Sequence, residues 1–127
     1  GNGFSFEIND REKIKLECKK KTKQGEVFAV SNSSKPLKEI VEVYKRFNVK
    51  HIIEMRSSYK FCVIAAGEFD LYATQARACE WDIAAGHAIM KHAGGIVTTL
   101  EEKEFSYGKK NFKNLSLLVK RSEKLEF

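Results

Sequence analysis

Two short stretches of this chain carry side chains whose types and spacing could do chemistry. In the first, Trp81-Asp82 opens the run Ile83-Ala84-Ala85-Gly86-His87-Ala88, which closes on Ala93-Gly94-Gly95. Its small residues suit a buried helix that approaches its neighbours closely, and the glycine pair ends it, because glycine reaches positive φ without steric cost. Asp82 then stands in the first helical turn, where free N–H groups favour a carboxylate. It reads either as that helix-entrance carboxylate or as a metal or substrate ligand. In the second stretch, Ser57-Ser58-x-Lys60 begins a helix just after a strand. Two hydroxyls, an ammonium and the first-turn amides suit a phosphate, while the plainer reading is an N-cap serine beside an exposed lysine.

The remaining candidates point to structure rather than chemistry. His87 and His92 are five apart, off the three- or four-residue spacing that shares a helix face, so with His51 they read as structural or surface residues. Cys18, Cys62 and Cys79 show no CxxC spacing and no nucleophile pattern; Cys62 reads as a buried thiol, and the set fits a reducing cytoplasm. Glu39 and Glu42 share a helix face with Lys35, Lys38 and Lys45 around them, which suggests a solvated surface. Phosphate hydrolysis through divalent metals needs several carboxylates converging on hard cations. Only Asp82 is placed for that, so no catalytic residue is assigned and the chain supplies at most part of such a site.

The elements that must position these residues can be read from periodicity. Alternation in Phe4–Ile8 and again in Lys13–Cys18, with Asn9-Asp10 between, predicts an antiparallel hairpin. A chain that opens directly on a hairpin strand looks like the continuation of something larger. Lys19–Lys23 and Gln24-Gly25 read as a solvated turn. Glu26–Val30 is a buried strand, and Pro36, in the first-turn position with Ser34 or Lys35 as the entry, sets up an amphipathic helix through Leu37, Ile40, Val41, Tyr44 and Phe47, closed by Asn48. Val49–Met55 is the next strand, which makes a βαβ unit and a parallel pair. A helix over about Ser58–Ala66, strands at Phe69–Ala73, Ile96–Leu100 and Leu115–Val119, and a solvated Glu101–Glu104 turn complete a single α/β domain over residues 1–127.

A chain of 127 residues with nine Phe, four Tyr and one Trp can bury one core. No apolar run reaches the ~18–20 residues of a membrane span. The net charge of +6 is diffuse, and no RNP-like signature, metal finger or basic heptad helix accompanies it, which argues against a nucleic-acid polymer and leaves a small anionic ligand open.

Taken together, Ser57-Ser58-x-Lys60 through Gly67, Asp70-Leu71-Tyr72, Trp81–Ala88 and Ala93-Gly94-Gly95 resemble the inositol monophosphatase family, and within it most closely the 3′(2′),5′-bisphosphate nucleotidase branch. The likeness runs from about Gly1 to Val119. It implies α/β with a mostly parallel mixed sheet flanked by helices, as the C-terminal half of an αβαβα sandwich. Asp82 would be a metal ligand, and Ser57, Ser58 and Lys60 would bind the substrate's non-scissile phosphate. Mg²⁺ in the complete protein would serve the hydrolysis of adenosine 3′,5′-bisphosphate to AMP and phosphate, in the cytoplasm.

The chain departs from the branch pattern where Thr74 replaces an arginine that Arg77 could supply from the same loop, and where Ser31-Asn32-Ser33-Ser34 lacks a histidine. The N-terminal signatures G-D-x-x-x-x-E and D-P-I/L-D-G-T are missing. The expectation is an isolated chain without activity, whose partners are a small phosphate ester and either the N-terminal half of the same fold or a second copy on an exposed apolar face. Inositol monophosphatase-type activity, or a non-catalytic anion- or partner-binding domain, are the alternatives.

Overall fold

The computed structural model describes residues 3–18, 25–76, 79–112 and 116–125. Alternation from Phe4 produces the first hairpin, β1 (Phe6–Ile8) antiparallel to β2 (Lys13–Lys15). Asn9 turns it: its Oδ1 accepts the backbone N–H groups of Arg11 and Glu12 at 2.9 and 3.0 Å, a local substitute for backbone pairing. Ser5 Oγ donates to Ile89 O at 2.8 Å, and Cys18 N–H to Ala93 O at 3.1 Å, which fastens the hairpin to the third helix.

After it come β3 (Val27–Ser31), α1 (Lys38–Arg46), β4 (Val49–Glu54), α2 (Tyr59–Ala65), β5 (Leu71–Thr74), α3 (Glu80–His92), β6 (Ile96–Thr98), a short 3₁₀ turn at Lys110–Phe112, and β7 (Leu117–Lys120). The sheet order is β4-β3-β5-β7-β6. β3 is parallel to both β4 and β5, whereas β7 is antiparallel to β5 and β6, so four of the five strands run one way. This is the mostly parallel mixed sheet expected.

Alternation along the central strands feeds two cores. Ala29, Leu71, Ala73 and Leu118 face α1 through Ile40, Val43 and Tyr44. Val30, Tyr72, Leu117 and Val119 face the other layer, built from Phe61, Val63 and Ile64 of α2, Ile83 and Met90 of α3, and Leu16 and Cys18 beyond the hairpin. Gly86 permits the contact between α2 and α3, since a Cβ there would fall 2.5 Å from Phe61 Cγ. Gly94, at φ +89, ends α3 as its sequence predicts.

Several expectations need correction. α3 is not buried: Trp81 is 66% exposed and Ala84, Ala85 and Ala88 face outward, because only one stripe of the helix meets α2 and the sheet. Small residues permit close packing on every side, but a neighbour is present on one. Cys62 is half-buried, and the buried thiol is Cys18, which donates to Ala93 O and Arg121 O at 3.2 and 3.0 Å. Pro36 precedes the N-cap, Leu37, rather than standing in the first turn. β4 closes one edge of the sheet and is exposed along nearly its whole length. The lysine run 19–23, Gln24, Arg77 and Leu115 lie outside the described residues.

Candidate functional site

The carboxyl ends of β3 and β5, the loop after β4 and the entrance of α3 converge on one cavity of about 490 Å³, a size suited to a small molecule. Ser57, Ser58, Lys60 and Asp82 all line it, so the two stretches that sequence singled out meet in space. Asn32, Arg56 and Thr74 add further polar groups, and Phe61, Tyr72, Ile83 and Leu117 form its apolar wall. The convergence follows from the topology: β3 and β5 are parallel neighbours, and ligands gather where such strands end.

Each polar residue also has a local role. Ser57 adopts a left-handed backbone, φ 71, and its Oγ accepts the Tyr59 N–H at 3.2 Å, while Ser58 is the N-cap without a side-chain capping bond. Ser57 is therefore the serine that performs the plain capping function. Lys60 is only 5% exposed. Its ammonium donates to Met55 O at 3.1 Å and Ser57 O at 2.6 Å and lies 5.1 Å from the Tyr72 ring, so it holds the Met55–Ser57 loop from beneath. Charge and spacing alone do not signal that back-bonding, because the carbonyls it reaches belong to a loop whose path the fold sets.

Asp82 stands in the first turn of α3, exposed, and its Oδ2 accepts the Cys79 backbone N–H at 2.8 Å, the acidic arm of a capping box. Capping occupies one oxygen without removing the carboxylate from the cavity. The neighbouring Glu80 has a different task. It accepts the backbone N–H groups of Gly108 and Lys109 at 3.0 Å each and the Lys109 ammonium at 2.7 Å, and chiefly this last bond holds its carboxyl below the usual range. Glu80 thereby fixes the loop before the 3₁₀ turn over the entrance of α3.

The histidines lie elsewhere. His51 pairs with Glu26 at 2.5 Å and stacks on Phe28, His92 Nδ1 is 2.8 Å from Ala88 O, and His87 Nδ1 is 2.7 Å from the Tyr107 hydroxyl. Burial, with Lys91 nearby, lowers the His87 pKa.

A divalent cation fits this donor set incompletely. Asp82 is the one carboxylate on the cavity among the described residues, and no cluster of three His, Cys, Asp or Glu able to hold a metal occurs among them. A hard cation needs several oxygen ligands and charge neutralisation, so no hydrolytic step is assigned to a metal on this chain alone. What the cavity can do is bind an anion, through Ser, Thr and Asn donors and two cations.

A model of the inositol monophosphatase family matches residues 1–124. The chain belongs to that family. Its matches include CysQ of Bacteroides thetaiotaomicron, described as a bacterial member of the inositol monophosphatase family, which is 28% identical with a TM-score of 0.70 over 91% of this chain and 48% of that one. A 3′(2′),5′-bisphosphate nucleotidase from Dictyostelium discoideum is 33% identical over 106 residues, covering 68% of this chain and 32% of that protein. The 3′(2′),5′-bisphosphate nucleotidase CysQ of Buchnera aphidicola is 38% identical over 81 residues, covering 64% and 29%. The chain thus spans about half or less of the length of these relatives. The resemblance to the nucleotidase branch is supported by these named relatives.

Proposed function

We propose that this chain is the C-terminal domain of a metal-dependent phosphomonoesterase acting on a small, doubly phosphorylated substrate, adenosine 3′,5′-bisphosphate, which it converts to AMP and phosphate in the cytoplasm. The observation that carries this reading is the single cavity shared by Ser57, Ser58, Lys60 and Asp82. In this reading Ser57 and Ser58 donate to the non-scissile phosphate, Lys60 supplies positive charge from below while holding their loop, and Asp82 is one ligand for Mg²⁺. The remaining ligands would come from an N-terminal half of the same fold. Exposed apolar side chains on one face of the hairpin, Phe4, Phe6 and Ile8, support a surface that such a half would cover.

Two measurements test the reading. The isolated chain with Mg²⁺ should bind adenosine 3′,5′-bisphosphate without turning it over, and Ser57→Ala and Lys60→Ala should each weaken that binding. Turnover by the isolated chain that disappears in Asp82→Asn would overturn the need for ligands from elsewhere. Equal affinities for wild type and Lys60→Ala would remove Lys60 from the site.

A further inference from the structure

The two cations on the cavity are not equivalent. Lys60 is buried, and its ammonium is engaged with the Met55 and Ser57 carbonyls and the Tyr72 ring. Arg56, one residue before the left-handed Ser57, has a side chain 88% exposed, and its ion-pair partner Glu54 stands 3.6 Å away and is itself part-exposed. A solvated pair of that kind contributes little and exchanges readily for a better anion. Arg56 also belongs to a built loop. The Ser57 backbone is fixed by Lys60 Nζ on its carbonyl and by the Tyr59 N–H on its Oγ, so the position from which the Arg56 side chain departs is set.

The cavity therefore carries a guanidinium and a carboxylate, Arg56 and Asp82, with the hydroxyls of Ser57, Ser58 and Thr74 among its other walls, and its volume exceeds what a single phosphate fills. Guanidinium is the side-chain group that meets a phosphate with two parallel N–H donors. Resting on the phosphatase reading above, we infer that Arg56 is the specificity-determining residue of this site: it clamps the non-scissile phosphate beside Ser57 and Ser58 and so selects a nucleoside bisphosphate over a monophosphate. The residue pattern of the branch would place an arginine at Thr74. Here Thr74 lines the same cavity without charge, and Arg56 brings a guanidinium to it from the loop after β4.

The test is a calorimetric titration of the chain with adenosine 3′,5′-bisphosphate and with the adenosine 3′- and 5′-monophosphates, for wild type, Arg56→Gln and Arg56→Lys. Wild type should prefer the bisphosphate. Arg56→Gln should lose roughly tenfold to a hundredfold for the bisphosphate, the range of a hydrogen bond to a charged group, while keeping its affinity for at least one monophosphate. Arg56→Lys should recover part of the preference. Because the side chain is exposed, the variant should keep its far-ultraviolet circular dichroism. An Arg56→Gln protein with the wild-type preference, or a wild type with none, overturns this inference and leaves the phosphatase reading standing. A wild type that binds none of the three overturns both.

Discussion

At the scale of single residues, the entrance of α3 separates two neighbouring carboxylates by environment. Asp82 is exposed and caps with one oxygen, while Glu80 is buried under three donors from Gly108 and Lys109. The Lys109 ammonium lowers the Glu80 pKa in the folded state. Its contribution to stability is therefore full above the unfolded glutamate value of about 4.3 and is lost as pH falls through the lower folded value. Glu80→Gln should lower the denaturant midpoint at pH 7, with the gap to wild type closing as the pH is taken toward 3. A constant gap across that range would show that Glu80 acts by packing alone. His87 works in a higher window. Burial lowers its pKa, so the folded state resists protonation and stability should fall as pH drops below about 6.5. His87→Gln should flatten that part of the curve in the same titration.

At the scale of elements, the contact between α2 and α3 sets the cavity wall, because Phe61 and Ile83 line it from the two helices. Gly86 is what lets the helices meet. A Cβ there would sit 2.5 Å from Phe61 Cγ and 2.6 Å from Phe61 Cδ2, closer than non-bonded carbon atoms approach. Gly86→Ala should cost about 1–3 kcal/mol by thermal or denaturant unfolding despite the better helix propensity of alanine, because an overpacked core must shift. A stabilised variant would show that the ring moves aside freely. The strand and helix sequence was legible because alternation and helical spacing are local properties, and Asn9, Asn48 and Gly94 mark turns with the conformations they favour. The same reasoning reached Ser57, Ser58, Lys60 and Asp82 as one site only through their family resemblance. It missed the bare face of α3 and the role of Arg56, since neither a neighbour's absence nor a cavity shared by loops distant in sequence leaves a periodic signal. The charge of Lys60 is legible, but its engagement with the carbonyls of Met55 and Ser57 is a property of the folded loop that no spacing announces.

At the scale of the whole molecule, one buried ion pair joins the strands that carry the site. Asp70, fully buried just before β5, accepts the Phe28 N–H of β3 at 2.8 Å through Oδ2 and the Arg121 guanidinium, just beyond β7, through Oδ1. Its backbone exchanges bonds with the same two residues: Asp70 N–H donates to Phe28 O at 2.8 Å, and Arg121 N–H to Asp70 O at 3.0 Å. The carboxylate thus ties β3, β5 and β7 together. Removing one partner of a buried pair strands the other charge, which typically costs about 3–5 kcal/mol, a large share of the ~5–15 kcal/mol that stabilises a domain. Asp70→Ala should accordingly unfold at a much lower denaturant concentration. Replacing both partners, as in Asp70→Leu with Arg121→Met, should recover much of the loss, because two apolar groups leave no buried charge to satisfy. The double variant decides what the pair is for. If it regains wild-type stability and still binds adenosine 3′,5′-bisphosphate as wild type does, the pair serves stability alone. If stability returns while binding does not, the bonds from Asp70 also set the strand ends on which the cavity depends.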